Sequence, residues 1–178
     1  MPPSSSTTSG ARPARNRAGD DFEYMPHVQQ TTAEGVQADV AAAAARLRED
    51  GARSVFTVGF CFGGRQSWLA AASGHGLAGA IGFYGRPGPG QDGTPGPAGR
   101  ADELGAPILA LMGGADAGIP LESVREFEAA LGAAGADYEV VTYDGAPHSF
   151  FDRRFEEHAE ASADAWERVL AFVQRHTD

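Results

Sequence analysis

The chain has 178 residues, 42% of them hydrophobic, with 24 Asp and Glu against 14 Lys and Arg and a formal net charge of −10. That length suits one domain with a real core, and the acidic balance argues against nucleic acid or an anionic membrane as partner. A single cysteine excludes an internal disulfide, and no apolar run reaches bilayer length or forms a signal segment, so a cytoplasmic protein is expected.

Residues 1–20 are rich in Pro, Ser, Thr, Gly and Arg, with no acid before Asp20. They predict a disordered segment ahead of one folded domain over 21–178. A transit peptide has a similar composition, but this stretch lacks an amphipathic apolar face. Phe22-Glu23-Tyr24-Met25-Pro26-His27-Val28 could dock on a surface and is too short to define an element.

Thr31-Thr32-Ala33-Glu34 matches a capping box, in which the Thr31 hydroxyl and the Glu34 carboxylate serve free amides at a helix start. Val36, Val40, Ala43, Ala44 and Leu47 follow at helical spacing, and Gly51 supplies the stop. Val55 to Phe60 then reads as a buried strand. It breaks at Gly59-Phe60-Cys61-Phe62-Gly63-Gly64 and restarts from Arg65 as a helix reaching about Ser73.

A strand, a glycine-flanked nucleophile and a helix make a nucleophile elbow, here with Cys in the nucleophile position. Glycines are expected two residues to either side, at Gly59 and Gly63, because side chains there would strike the neighbouring strand and helix. The ordinary alternative is that Cys61 is a small buried hydrophobe.

Gly74-His75-Gly76 is a turn, and 78–85 is a second strand rich in small residues. Residues 86–100 form a Pro/Gly loop without periodicity. Pro107 to Met112 is apolar on both faces, as a parallel strand between two helix layers should be, and it runs into Gly113-Gly114-Ala115-Asp116. Leu121, Val124, Phe127 and Leu131 make a helical stripe that stops near Gly135. Asp137 to Tyr143 is a fourth strand, and Asp144-Gly145-Ala146-Pro147-His148 is the loop at its carboxyl end. Trp166, Val169, Leu170 and Val173 are expected to face one side of a final helix. The order α-β-α-β-loop-β-α-β-α predicts a three-layer α/β/α fold around an open, mostly parallel sheet with right-handed crossovers.

Open α/β sheets place their ligands beyond the carboxyl ends of the strands. Three residues reach that rim: Cys61 after the first strand, Asp116 after the third and His148 after the fourth. Taken singly, Asp116 could cap the helix near Leu121 and His148 could be one loop histidine among five. Together, nucleophile, acid and histidine stand in α/β-hydrolase order. His148 would take the thiol proton, Asp116 would orient the ring, and the backbone N–H of Phe62 would be one oxyanion donor. His27, His75, His158 and His176 lie in turns or on polar faces and are expected to be solvated. No pair has metal-ligand spacing, and Gly113-Gly114 is too short for a phosphate loop, so no metal or other cofactor is expected.

Gly59-Phe60-Cys61-Phe62-Gly63-Gly64, Gly82-Phe83-Tyr84-Gly85, Gly114-Ala115-Asp116 and Gly145-Ala146-Pro147-His148-Ser149-Phe150 resemble the dienelactone hydrolases (carboxymethylenebutenolidases) of the α/β-hydrolase superfamily. The resemblance runs from about Phe22 to the C-terminus. It implies a Cys-His-Asp hydrolase of small lactones or carboxylic esters, working through a thioester acyl-enzyme, with Tyr84 and Phe150 beside the substrate pocket. Two departures stand out. Family members often carry a carboxylate-gripping arginine four residues after the catalytic histidine; here that residue is Asp152, with Arg153 and Arg154 displaced. Family members also carry residues ahead of the capped helix that hold the first strands, a second oxyanion N–H and a glutamate that activates the cysteine. The chain therefore resembles an N-terminally truncated member retaining about four strands.

Truncation would leave the elbow strand at an edge, open to association between copies or with another chain. Three roles follow for such a chain. It is an active hydrolase of small-molecule esters or lactones, a catalytically weak or silent remnant, or a thiol sensor using Cys61 without a resolving cysteine.

Overall fold

The computed structural model describes Glu23 and residues 30–90 and 92–177. The disorder expected over 1–20 lies outside the described residues, as does the expectation for His27. The chain divides into two units, Met1–Thr32 and Ala33–Asp178, and every element below belongs to the second.

The elements are α1 (Ala33–Glu49), β1 (Phe56–Phe60), α2 (Phe62–Ala71), β2 (Gly79–Phe83), a 3₁₀ segment (Pro97–Glu103), β3 (Ile108–Gly113), α3 (Leu121–Ala134), β4 (Tyr138–Tyr143) and α4 (Ala159–Arg175). The strands form one parallel sheet in the order β1-β2-β3-β4. No described helix is long and apolar enough to cross a membrane.

Helix α1 begins one residue later than a Thr31 cap would place it, a difference of the size usual at frayed helix starts. It ends as expected: Gly51 adopts φ +96°, and the Ala52 N–H donates back to the Leu47 carbonyl. Helix α3 closes the same way at Gly135, φ +67°, with the Ala136 N–H on the Leu131 carbonyl.

Alternation along β2 shows the layers directly. A β-carbon at Gly82 would lie 2.4 Å from Trp68 of α2, whereas one at Gly79 would lie 2.5 Å from Phe172 of α4. Odd and even residues of a strand face opposite sides, so α2 and α4 cover opposite faces. Phe127 of α3 packs on Trp68 at 5.1 Å and joins the α2 layer. All of β2 and β3 is buried, as the apolar pattern of Pro107 to Met112 requires.

Three local expectations need correction. The buried stripe of α4 is Ser162, Ala165, Val169 and Phe172, while Trp166 and Leu170 are 49% and 52% exposed. Small Ala165 and Ser162 let the helix lie close to the sheet, so the bulkier neighbours turn outward. On α1 only Ala44 is buried and Leu47 is exposed, because α1 packs against the outer side of the helix layer, chiefly on α2, and not directly on the sheet. The 86–100 loop runs into the 3₁₀ segment, which buries Pro97 and Ala101.

Among the described residues, β1 lies at the sheet edge. The Cys61 N–H donates to the Phe83 carbonyl, and the parallel register then turns the amides of Phe56, Val58 and Phe60 away from β2. Phe56 reaches Phe172 of α4, but Val58 and Phe60 remain 49% and 39% exposed. An apolar edge of this kind is a template for pairing with another strand.

Candidate active site

The turn from β1 into α2 is made by one residue. Cys61 has φ 55° and ψ −117°, a conformation that costs a non-glycine residue about 1–3 kcal/mol and persists only where its surroundings impose it. They do so here through two backbone bonds, Cys61 N–H to Phe83 O at 3.0 Å and Arg65 N–H to Cys61 O at 3.2 Å. The thiol is exposed.

The steric requirement falls partly where expected. A β-carbon at Gly59 would lie 2.0 Å from the Gly63 carbonyl oxygen, so strand and helix start touch backbone to backbone. Gly63 itself has open space, contrary to expectation. The second tight position is Gly64, where a β-carbon would lie 2.7 Å from Phe83 O. Phe62 opens α2, so its N–H has no intrahelical acceptor and stands beside the thiol-bearing residue.

Asp116 and His148 are brought together by two loops packed on each other. The Gly114 N–H donates to Tyr143 O at 2.8 Å and the Ala115 N–H to Ala146 O at 3.0 Å. A β-carbon at Gly113 would lie 2.5 Å from Ala146 O, so the glycine pair permits this approach. The result is a 2.6 Å bond between Asp116 Oδ2 and His148 Nδ1. The Asp116 side chain is 2% exposed and that of His148 37%. Asp116 Oδ1 accepts the Gly118 N–H at 2.8 Å, which fixes the carboxylate. Asp116 does not cap α3, whose N-cap is Pro120 without a side-chain bond.

Nδ1 therefore points at the acid, and Nε2 has no hydrogen-bond partner among the described residues. The Cys61 sulfur likewise makes no hydrogen bond among them. Such bonds are often formed only once substrate is bound.

Tyr84 lies against the histidine. Its ring packs on the His148 imidazole at 5.0 Å, and its hydroxyl donates to Asp152 Oδ1 at 2.9 Å. Burial, the Asp152 bond and the nearby Cys61 charge all hold that hydroxyl protonated well past the ordinary tyrosine range. Phe150 is fully buried behind Tyr84, at 5.6 Å, and its other neighbour is Tyr143 at 5.1 Å. It is a core residue that supports Tyr84, not an exposed lining. Phe60, Phe83 and Phe151 form an aromatic stack next to the elbow, with centroids 4.5–5.9 Å apart.

Strain is concentrated here. Among the described residues, the non-glycine residues with positive φ are Cys61, Tyr84 at 38° and Ser149 at 59°. One bears the thiol, one touches the imidazole and one follows it in sequence.

Sequence reasoning missed three contributors. Asp152 is the partner of Tyr84. Arg86 donates to Gly118 O at 3.1 Å and ties the loop after β2 to the Asp116 loop. Arg65, in the first turn of α2, donates to the carbonyls of Arg86 and Gly88. Each contact joins segments distant in sequence, so local spacing, which singles out Asp152 four residues after His148, does not reveal its partner. The remaining histidines are less solvated than expected. His75 Nε2 lies 3.2 Å from Gln37 Oε1, and His158 is half-buried ahead of α4. His176 continues the buried α4 stripe against Phe172 at 4.6 Å.

Comparison with known proteins places the chain in a family. A "Putative carboxymethylenebutenolidase" of Escherichia coli K12 is 41% identical over 140 residues, covering 77% of this chain and 51% of that protein. One of the same description from Methylorubrum extorquens is 35% identical over 171 residues, covering 88% of this chain and 58% of that protein. The crystal structure described as a "Putative Dienelactone Hydrolase" from Klebsiella pneumoniae superposes with a TM-score of 0.76 at 35% identity, covering 86% of this chain and 68% of that one. The chain spans about half the length of the curated relatives it matches. The family model described as "Dienelactone hydrolase family" matches residues 10–177, and with the parallel α/β sheet and the three rim residues in hydrolase order, the chain belongs to the dienelactone hydrolase family.

Proposed function

We propose that the chain hydrolyses small carboxylic esters or lactones through Cys61, His148 and Asp116. The observation that carries this reading is the 2.6 Å Asp116–His148 bond at the same sheet rim as a strained, exposed Cys61. Asp116 accepts from Nδ1–H and leaves Nε2 as the basic nitrogen. Nε2 takes the thiol proton, and the thiolate attacks the acyl carbonyl carbon. Charge builds on the carbonyl oxygen, which the Phe62 N–H meets at the head of α2. The intermediate collapses to a thioester, and His148 returns the proton to the departing alkoxide. Water then attacks the thioester with His148 again as base, releasing the acid and the free thiol.

The test is hydrolysis of p-nitrophenyl acetate by wild type, Cys61→Ser, His148→Ala and Asp116→Asn, with mass spectrometry of Cys61 during turnover. An acetyl group on Cys61 and losses of about 10²–10⁴ in kcat in each variant are expected. Equal turnover in all four proteins refutes the reading. A second reading, slow turnover, rests on Phe62 being the one oxyanion donor identified among the described residues, since losing one donor costs about 10²–10³. A kcat in the ordinary range of about 1–10³ s⁻¹ rejects it.

A further inference from the structure

We infer that Asp152 makes this site select its acyl group by charge, admitting neutral or cationic groups and turning away those that carry a carboxylate. The inference deepens the reading of Cys61 as nucleophile and rests on it.

Asp152 lies four residues beyond His148 and is tied to the site through Tyr84. Oδ1 accepts the Tyr84 hydroxyl at 2.9 Å and the Arg153 backbone N–H at 2.8 Å. Two donors on one oxygen hold the carboxylate in place, while Oδ2 has no hydrogen-bond partner among the described residues. The Tyr84 ring in turn lies 5.0 Å from the imidazole, and its hydroxyl is within electrostatic reach of the Cys61 sulfur. Tyr84 thus links a fixed negative charge to the reacting atoms.

No cation pairs directly with that charge. Among the described residues, no arginine, lysine or histidine nitrogen lies within 4.0 Å of the Asp152 carboxylate. Arg154 turns to Glu157 at 3.8 Å, and Arg153 meets Asp152 through its backbone. Arg86 and Arg65 are engaged with loop carbonyls. When Cys61 and His148 form a thiolate–imidazolium pair, their charges cancel and two carboxylates, Asp116 and Asp152, remain. Asp116 is buried against the imidazole, so Asp152 is the one of the two that meets solvent. A substrate carboxylate would find like charge and no acceptor for it. The net charge of −10 adds to the same sign at longer range.

Cys61 is the single cysteine, so alkylation reads the field at the nucleophile without any need for turnover. Iodoacetamide and iodoacetate share a mechanism, sulfur displacing iodide, and differ in charge. The ratio of their rate constants at Cys61, divided by the same ratio for 2-mercaptoethanol, cancels any change in thiolate fraction. Wild type is expected to disfavour iodoacetate by about threefold to tenfold at low salt, shrinking at 1 M salt where the Debye length is about 3 Å. Asp152→Asn keeps the acceptor for Tyr84 and removes the charge, and should lower the normalised ratio at least threefold. Asp152→Ser, with no amide to reorient, should lower it similarly. Glu128→Gln, an exposed charge removal on α3, should leave it within error and separates the local effect from net charge.

An unchanged ratio in both Asp152 variants, or an equal fall in Glu128→Gln, overturns the inference. The two readings fail separately. Ester turnover in Cys61→Ser equal to that of wild type refutes the nucleophile whatever the alkylation ratio. Cys61-dependent turnover with a charge-blind ratio refutes only the selectivity.

Discussion

Gly59→Ala should be the most damaging single-methyl change at the elbow, and the geometry says by how much. The added β-carbon would lie 2.0 Å from Gly63 O, 2.2 Å from Gly63 C and 2.7 Å from Gly64 N. All three are backbone atoms in the first turn of α2, so no rotamer change relieves the overlap; the strand and the helix start must separate by more than about 1 Å. Overpacking typically costs about 1–3 kcal/mol when side chains can yield. With backbone as the obstacle, at least about 3 kcal/mol is expected, a hundredfold or more in the unfolding equilibrium at 1.4 kcal/mol per decade.

Gly63→Ala gives the internal control. It meets no atom within 4 Å and places alanine in a helix, which favours it over glycine by up to about 1 kcal/mol. Gly64→Ala, at 2.7 Å from Phe83 O and 3.2 Å from Gly59 O, should fall between the two. Urea unfolding of the three variants, with Cys61 alkylation rate as a readout of the elbow, should rank damage as Gly59, Gly64, then Gly63. If Gly63→Ala proves as costly as Gly59→Ala, or if Gly59→Ala is neutral, the steric account of the elbow is wrong.

Two further outcomes follow from burial. The hydroxyls of Tyr84 and Tyr143 are held protonated above the ordinary 10 by desolvation and by bonds to Asp152 and Asp164. An acid with a raised folded-state pKa binds more protons folded than unfolded, so the protein should lose stability as pH rises above about 10. In an ultraviolet titration, two of the four tyrosines should ionise only on unfolding; four ionising freely near pH 10 in the folded state would contradict this. Gly82→Ala would set a β-carbon 2.4 Å from the buried Trp68 indole, whose Nε1–H donates to Leu109 O at 3.1 Å. A loss of about 1–3 kcal/mol, seen as a lower urea midpoint at unchanged slope, is expected.

The placement of the three rim residues was legible because rim position follows from chain order. A strand that ends at Phe60, another at Gly113 and another at Tyr143 must deliver Cys61, Asp116 and His148 to one side of a parallel sheet, whatever the details of packing. The apolar pattern of β3 likewise announced a strand buried on both faces. Residue type failed where the decision depended on how closely two elements approach. Trp166 and Leu170 look like core residues of α4, yet the stripe that meets the sheet holds Ser162 and Ala165. Gly63 fits the elbow pattern, yet Gly64 is the glycine under pressure.

Local pattern, then, determined the order of elements, the parallel sheet and the identity of the three rim residues, since each depends on neighbours a few positions away. Tertiary structure alone decided that Asp116 turns to His148 instead of capping α3, that Tyr84 and Ser149 take positive φ, and that Asp152 holds the Tyr84 hydroxyl. Those outcomes depend on distances between segments about 30 to 70 residues apart. A backbone carbonyl, a buried ring or a carboxylate from a remote loop sets them, and none leaves a periodic trace in the chain.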